Sequence, residues 1–356
     1  MKPEFSRIRR VLVFRHGAAG DLLLSTPALR ALRAALPHAL IEVLVARGMS
    51  GILDGNPDVD HVLEINRRSL RSQTSLYARA LLGRYDCVLD MVSNPRSAIL
   101  TALTRANVRV GYDLPRRGYA YTHRLPREPV GPKGPVRRYA SEAGLDFVRA
   151  IGAAPLGLDL TFRVSRAAQE AMDRWLEESR LNGRPMVACL PSGSWVSKTW
   201  PAERFAASMD ELADQATVLW VWGPGEEPLA RRCAAMMRGK SFLAPRTDWQ
   251  ELAALLRRCD LLLCNDSGPK HIAVAIGTPS VTIFGPTHPA TWSPPGGPHS
   301  SVWAQGLECL HCDQTVCPLP GERNMRCMRD VSTDAVVGMC RAHLRERAGR
   351  AACENR

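Results

Sequence analysis

The sequence alternates short apolar runs with amphipathic stretches, and this alternation limits the fold more than any other feature. In the first half, RRVLVFR, IEVLVA, HVLEI, YDCVLDM and VRVGYD read as strands, and most of them are separated by helical stretches. Strands that alternate with helices pair in parallel, because each connection crosses back over the sheet. The pattern therefore predicts an α/β protein with parallel sheets covered by helices.

The alternation occurs twice. The first series ends with LTFRV, and the second starts at MVACLPS and continues through TVLWVWG, DLLLCN and SVTIFG. We expect an amino-terminal domain over 1–165, a linker helix over 166–184, a carboxyl-terminal domain over 185–331, and a final helix and tail over 332–356. Because parallel sheets bind ligands at the carboxyl ends of their strands, two such domains predict a ligand cleft between them.

Two local features refine this outline. Thr26 precedes Pro27, and Pro is favoured at the first position of a helix, so Thr26 is the expected N-cap. Residues 113–140 are rich in Pro, Gly and Arg, which indicates a long loop.

Length and composition restrict the class of protein. The chain has 356 residues, and its 45% hydrophobic content is enough for two cores. It contains no apolar run long enough to span a bilayer, and MKPEFSRIRR lacks the apolar stretch of a signal peptide. We therefore expect a cytoplasmic protein, and its eleven cysteines then argue against a disulfide framework.

The net charge of +12 bears on the partners. The basic residues concentrated between 105 and 138 favour an anionic substrate or membrane face, or form a solvated surface. Aromatic residues are not interleaved with them, and no nucleic-acid motif is present, so no nucleic-acid partner is expected. The residues are Arg105, Arg109, Arg116, Arg117, Arg124, Arg127, Lys133, Arg137 and Arg138.

The stretch FRHGAAGDLLLSTP turns the first strand into a helix. Its Gly17-Ala18-Ala19-Gly20-Asp21 is not the G-x-G-x-x-G motif, and the next strand ends in Ala46-Arg47 rather than in an acid. A dinucleotide site is therefore a poor interpretation. Asp21 is either a helix-entry cap or a chemical group presented at the end of a strand.

A second turn, in the segment 261–296, favours phosphate. DLLLCN ends at Asp266, and Pro269 then opens a helix, so Ser267 and Gly268 should leave N–H groups free at a helix N-terminus. Lys270 in the first turn opposes the helix dipole unless an anion binds there. Simple capping and solvation are the alternative for these residues.

Two further side chains belong to this segment. Asp266 would repel a diphosphate, so we assign it to sugar hydroxyls. His271 follows directly after Lys270 and is either a donor-site residue or a core histidine.

Three motifs together resemble glycosyltransferase family 9, the ADP-heptose:lipopolysaccharide heptosyltransferases, over roughly residues 8–335. The first is Gly20-Asp21 followed by Thr26-Pro27-Ala28-Leu29, and the second is PSGSWVSKTWPAERF at 191–205. The third combines Asp266-Ser267-Gly268 and His271 with Gly277-Thr278-Pro279 and Phe284-Gly285-Pro286-Thr287.

The resemblance implies a GT-B fold, in which two Rossmann-like domains face each other across a cleft, with the acceptor on the first and the nucleotide sugar on the second. It implies metal-independent, inverting transfer of a heptose from ADP-heptose to the inner core of lipopolysaccharide. Such an acceptor lies at the cytoplasmic face of the inner membrane, where a basic first domain would suit its charge. The oligomeric state is not indicated.

The resemblance also assigns roles to residues. Asp21 aligns with the catalytic base, and Gly17 and Gly20 would let the backbone and the acceptor approach each other. Lys198 aligns with the lysine that binds the diphosphate, where a cation stabilises the leaving group. Further donor-site candidates are Ser192, Ser194, Gly223 and Glu226, the last two in a turn expected near the adenosine.

Two patterns could bind metals. Asp58-Val59-Asp60 imitates a D-x-D motif but lies far from the predicted nucleotide, so we expect no catalytic metal there. The spacing C-x2-C-x4-C-x9-C does not match a regular zinc ribbon, and it leaves a structural zinc or iron, reduced thiols and disulfides open. These cysteines are Cys309, Cys312, Cys317 and Cys327.

Alternative functions remain open at this stage. They are heptose transfer to a protein serine, which the cysteine cluster mildly favours, epimerisation of a sugar nucleotide on the same fold, and binding of a nucleotide sugar without catalysis.

Overall fold

The computed structural model describes residues 7–66, 68–128, 130–131, 134–181 and 183–354. The chain divides into two compact units, Met1–Arg163 and Val164–Arg356, here called unit 1 and unit 2. The finer division into a linker helix and a terminal tail stays a prediction. Among the described helices, none is both long and apolar enough to cross a membrane.

Unit 1 contains a six-stranded parallel sheet in the order β3-β2-β1-β4-β5-β6. Its strands are β1 Arg10–Phe14, β2 Leu40–Ala46, β3 His61–Ile65, β4 Cys87–Asp90, β5 Val108–Tyr112 and β6 His123–Leu125. Its helices are α1 Ala19–Leu23, α2 Thr26–Ala35, α3 Leu70–Leu82, α4 Pro95–Leu103 and α5 Ala140–Ala150. A short antiparallel pair, β7 Val130–Gly131 and β8 Gly134–Pro135, precedes α5.

Unit 2 repeats the arrangement in the order β11-β10-β9-β12-β13-β14. Its strands are β9 Met186–Leu190, β10 Thr217–Trp220, β11 Ser241–Leu243, β12 Leu261–Asn265, β13 Ser280–Phe284 and β14 His299–Trp303. Its helices are α6 Arg166–Glu178, α7 Ala202–Asp210, α8 Glu227–Met236, α9 Trp249–Arg258, α10 Gly268–Ile276, α11 Pro289–Trp292, α12 Arg326–Arg329 and α13 Thr333–Glu354.

The central strands are covered on both faces, which explains their continuous apolar sequences. Every residue of β9, β12 and β13 is buried. In unit 2 the core includes Trp200 and Phe205, whose rings meet edge to face at 4.9 Å between centroids. The α/β class with parallel sheets is thus confirmed for both units.

The structure corrects two local predictions. Ser25, not Thr26, is the N-cap of α2, and the Thr26 hydroxyl instead donates to the Leu23 carbonyl and accepts from the Thr161 N–H. The stretch 113–140 is not a continuous loop, because His123–Leu125 pairs with β5 as the last strand of the sheet. Short polar strands such as β6 lack the apolar run by which a strand is recognised.

Candidate functional site

In unit 1 the loop after β1 holds Asp21 in the first turn of α1. Arg15 fixes it with two hydrogen bonds: Nε donates to the Asp21 carbonyl at 2.9 Å and Nη2 to the carboxylate at 3.3 Å. The other carboxylate oxygen accepts the Ala18 N–H at 3.3 Å. With its side chain 33% exposed, Asp21 stays open to solvent and to a ligand.

The glycine before this turn is required by the position of the carboxylate. A Cβ on Gly17 would lie 2.8 Å from Asp21 Oδ2, closer than real Cβ contacts allow. Gly20 is buried within α1. The structure thus brings Gly17 and Asp21 together at the carboxyl end of the central strand, and the catalytic role of Asp21 stays a prediction.

A cavity of about 260 Å³ lies at the same carboxyl ends of the strands, because His16 after β1 and Asn94 after β4 line it. Its polar lining is His16, Asn94 and Arg96, and its remaining walls include leucines of β2, α3 and α4. Asn94 Nδ2 lies 3.3 Å from His16 Nε2. The Nε and Nη2 of Arg96 are buried and have no hydrogen-bond partner among the described residues.

Sequence reasoning missed Arg96. Two buried guanidinium nitrogens without partners are unfavourable, so their presence beside a cavity favours an anionic ligand there. The available signal was the same as for Lys270, namely a basic residue in the first turn of a helix that follows a buried strand, where it opposes the helix dipole.

In unit 2 three predicted residues form one buried ionic cluster. Asp266 accepts from Lys198 Nζ at 2.8 Å on one carboxylate oxygen and from Lys270 Nζ at 2.7 Å on the other. The Thr287 hydroxyl also donates to it at 2.8 Å. Burial alone would raise the pKa of Asp266, but the charges and hydrogen bonds of the two lysines hold it well below its usual range.

The two lysines differ in their surroundings. Lys270 is 1% exposed, donates to the Trp292 carbonyl and lies over the Phe284 ring, and burial lowers its pKa despite the Asp266 charge. Lys198 Nζ lies 4.1 Å from the centroid of the Trp195 ring and 5.6 Å from that of Trp292. Lys198 is thus held by one carboxylate and two aromatic faces.

The N-terminus of α10 lies next to this cluster in the sequence. Ser267 is the N-cap, but its side chain caps nothing, and its buried hydroxyl has no hydrogen-bond partner in the described structure. Gly268 begins the helix, one residue before the start at Pro269 that the sequence predicted. His271 is buried with its ring edge toward Trp292, and burial lowers its pKa well below the usual value, so the imidazole is neutral.

Glu226 connects the remaining donor-site candidates. Its Oε2 accepts the Ser192 hydroxyl at 2.7 Å and the Gly223 N–H at 2.9 Å. A Cβ on Gly223 would come within 2.9 Å of the same oxygen. Ser194 is exposed, and no contact joins it to this group.

Of the acidic pair Asp58 and Asp60, only the Asp60 carboxylate is occupied by structural contacts, whereas Asp58 Oδ2 is buried without a hydrogen-bond partner among the described residues. The Asp60 carboxylate accepts both from Arg33 and from the Ile41 N–H at 2.6 Å. Asp58 is buried, and this burial raises its pKa although three arginines act against it. A cavity of about 710 Å³ beside Asp60 lies at the amino ends of the strands, the opposite end from the site described above.

The four clustered cysteines lie close enough to affect one another electrostatically. Burial, and then the charges of Cys312, Cys309 and Cys317, raise the pKa of Cys327 to about 11. Cys309 and Cys312 are exposed. Within the described residues, however, no group of three or more His, Cys, Asp or Glu side chains is arranged to hold a metal ion.

Comparisons with known proteins agree on one family. The model of "Glycosyltransferase family 9 (heptosyltransferase)" matches residues 75–322. Lipopolysaccharide heptosyltransferase 3 of Escherichia coli is 27% identical over 303 residues, which cover 80% of this chain and 86% of that protein.

Solved structures agree on the fold. A family 9 glycosyltransferase from Veillonella parvula superposes with a TM-score of 0.80 at 22% identity, covering 95% of this chain and 97% of that one. E. coli ADP-heptose lipopolysaccharide heptosyltransferase II gives 0.75 at 19% identity, with 95% and 99% coverage. The GT-B fold class is thereby confirmed. Because the family model spans well over half of the sequence, the chain belongs to glycosyltransferase family 9 and is a glycosyltransferase.

Proposed function

We propose that this enzyme transfers a heptose from ADP-heptose to the inner core of lipopolysaccharide, with inversion at the anomeric carbon. The family and the lipopolysaccharide heptosyltransferases among its relatives support the substrate class. The observation that carries the proposal is the ammonium group of Lys198, which is fixed by Asp266 and Trp195 at the carboxyl end of the second sheet.

Lys198 would bind the diphosphate of the donor. An ammonium group has three donors, and the hydrogen bond to Asp266 uses one of them. When the bond between the sugar and the diphosphate breaks, negative charge develops on the departing ADP, and a preplaced cation lowers that barrier. The N-terminus of α10 and the Ser267 hydroxyl supply further donors for the same phosphates.

Lys270 would act differently from Lys198. Because its ammonium group is enclosed by Asp266, the Trp292 carbonyl and the Phe284 ring, we expect it to orient Asp266 and to add positive charge, without a direct bond to phosphate. Asp266 retains lone pairs for a sugar hydroxyl. Glu226 Oε1 would accept a hydroxyl of the adenosine, since Oε2 already holds Ser192 and Gly223.

Asp21 would be the general base in unit 1. The acceptor oxygen attacks the anomeric carbon of the heptose, its proton passes to the Asp21 carboxylate, and the bond to the diphosphate breaks so that ADP leaves with the electron pair. A single displacement inverts the anomeric configuration. Arg15 orients the carboxylate, and Gly17 leaves the space that this carboxylate occupies.

We also propose that catalysis needs no divalent metal. Lys198 and the N-terminus of α10 supply the positive charge that a metal would otherwise bring to the diphosphate. Turnover should therefore persist in the presence of EDTA. A loss of activity that added magnesium restores would contradict this part of the proposal.

The decisive assay uses the purified full chain with ADP-heptose and a truncated lipopolysaccharide core as acceptor. Mass spectrometry should detect an acceptor that has gained one heptose, together with an equal amount of ADP. Core oligosaccharide from a deletion strain should lack this residue, and complementation should restore it. Heptosylated protein in place of core, isomerised sugar nucleotide without acceptor, or donor binding without turnover would each overturn the proposal.

A further inference from the structure

The outward side of α3 exposes apolar side chains where a helix on the surface of a protein usually carries polar ones. Leu70 is 79% exposed, Leu81 52% and Leu82 77%, whereas Leu76 and Ala80 on the inward side are buried. The helix is properly formed at its start, because the Ser69 side chain caps it by accepting the Ser72 N–H. These leucines are therefore displayed by an intact helix.

The exposed residues form one continuous strip. Leu70 and Leu81 are eleven positions apart, about three turns, and so lie on nearly the same line of the helix. Thr74 and Ala78 fill that line between them and are also exposed. We call the strip of Leu70, Arg71, Thr74, Ala78, Leu81 and Leu82 the α3 outer face.

The charged residues of the sequence segment that contains α3 are all basic. Between Glu64 and Asp86 the sequence has no acidic residue. Arg68, Arg71 and Arg84 are exposed, and no ion pair joins them to a described acidic side chain. Arg79, by contrast, is paired: its Nη1 lies 2.8 Å from a carboxylate oxygen of the buried Glu42.

We infer that the α3 outer face docks on the surface of a bilayer that contains anionic lipids. Apolar side chains between arginines suit the boundary between headgroups and acyl chains, where leucine enters the apolar layer and guanidinium meets phosphate. The inference deepens the proposed function and rests on it, because the lipopolysaccharide acceptor of that reaction is itself held in a bilayer.

Charge favours a bilayer over a second copy of the chain as the occupant. Two α3 outer faces packed together would bring their arginines against each other, with no acidic residue of the segment to compensate. An anionic lipid surface supplies the missing negative charge and an apolar layer together.

Binding to vesicles tests the inference. The full chain should cosediment with vesicles of phosphatidylcholine and phosphatidylglycerol, and much less with phosphatidylcholine alone. The double variant Leu81→Ser, Leu82→Ser should lower the partition coefficient by about tenfold or more, because two leucines no longer enter the apolar layer. Leu156→Ser, which removes another half-exposed leucine of unit 1, should leave it unchanged.

Arginine variants test the electrostatic part. Arg84→Gln should lower binding to the anionic vesicles by about fivefold, the effect of one basic residue near such a surface. Arg180→Gln is the matched control, since Arg180 in unit 2 is, like Arg84, an exposed arginine with a positive φ.

Activity on a water-soluble core oligosaccharide separates the two proposals. The α3 variants should retain it, so a failure of vesicle binding would leave the proposed reaction intact. Equal binding of wild type and double variant to anionic vesicles would overturn the inference. So would a dimer of the wild type that the double variant converts to monomers while neither protein binds vesicles.

Discussion

The two units share one strand order but carry opposite charges at equivalent loops. After the central strand, unit 1 presents Asp21 and unit 2 presents Lys198. After the neighbouring strand, unit 1 presents Arg96 and unit 2 presents Asp266. In unit 2 the charges of the two loops pair with each other, whereas in unit 1 Asp21 pairs with Arg15 and two guanidinium nitrogens of Arg96 have no partner in the described structure.

This difference leads us to expect different chemical roles for the charged groups of the two units. A carboxylate held by two lysines is kept ionised and cannot serve as a base near neutral pH. The Asp21 carboxylate is instead partly open to solvent and pairs with a single arginine. Unit 2 is therefore expected to supply fixed positive charge, and unit 1 the group that exchanges a proton.

The largest effect is expected for Asp21→Asn in unit 1. The amide keeps the size and most hydrogen bonds but cannot take the proton, so kcat should fall by about 10²–10⁴-fold. ADP-sugar affinity should hardly change, and stability should change by about 1 kcal/mol or less, because the ion pair is partly exposed. Steady-state kinetics measure kcat, and calorimetric titration measures the affinity for the ADP-sugar. The exposed Asp54→Asn variant is the control.

Near-normal turnover by folded Asp21→Asn enzyme would remove Asp21 from the mechanism. Loss of donor binding instead would mean that Asp21 shapes the site without acting as a base.

The equivalent change in unit 2, Asp266→Asn, should act on stability. It would leave two buried lysines without their carboxylate, and breaking a buried pair in this way costs about 3–5 kcal/mol. Urea unfolding without ligand measures the difference, and Asp214→Asn on the surface of unit 2 is the control.

The pH dependence of the folding stability provides a second test of the role of Asp266. Its pKa is lower in the folded protein than in the unfolded chain, so its stabilisation is complete above the ordinary Asp pKa of about 4 and is lost as the pH falls below that value. Asp266→Asn should lack this component of acid destabilisation. An identical acid profile for variant and wild type would contradict the role assigned to the cluster.

Lys198→Ala should weaken catalysis without removing the base. The loss of one charge-stabilising donor corresponds to about 2–4 kcal/mol in kcat/KM for the ADP-sugar. The exposed Lys240→Ala variant should behave as wild type. Unchanged kinetics for Lys198→Ala would refute the donor site.

Arg96→Gln tests the anion expected in the cavity of unit 1. A charge-assisted hydrogen bond is worth about 1.5–3 kcal/mol, so KM for the acceptor should rise about tenfold or more while KM for the donor stays constant. Stability should not fall, because the variant removes two buried guanidinium nitrogens that have no partner in the described structure. Arg180→Gln on the surface of unit 2 is the control, and equal acceptor KM values for both variants would leave Arg96 without this role.

The smallest effect concerns the thiols that unit 2 carries. Of the four clustered cysteines, the exposed Cys309 and Cys312 should react with a thiol reagent first. Cys327 should react last of the four, because burial protects its thiol and raises its pKa to about 11. Timed labelling followed by peptide mass spectrometry gives the order. Protection of all four cysteines, with one zinc or iron per chain by elemental analysis, would contradict free thiols.

The elements that could be predicted from the sequence are those with an uninterrupted apolar pattern. Central strands such as β9 and β12 are recognisable because burial on both faces requires uninterrupted apolar residues. The last strand of each sheet was missed, since HRL and HSSVW are short and polar. The N-cap of α2 was misplaced by one residue, because both Ser25 and Thr26 have capping side chains and only the backbone decides between them.

The sequence indicated which residues form the candidate site, but not which contacts their side chains make. Motifs indicated Asp21, Lys198 and Asp266, yet the bonds from two lysines to one carboxylate depend on how adjacent loops place their side chains. Arg96 shows the same limit, because an arginine after a strand is unremarkable until two of its guanidinium nitrogens are found buried without a partner among the described residues.

The position of Lys198 between two indole rings has an optical consequence. Trp195 and Trp292 emit under the field of a nearby cation, and an anion that draws the ammonium group toward itself changes that field. The chain contains eight tryptophans, and these two lie beside the donor lysine. Intrinsic fluorescence thus offers a label-free signal of the occupancy of unit 2, independent of whether any sugar is transferred.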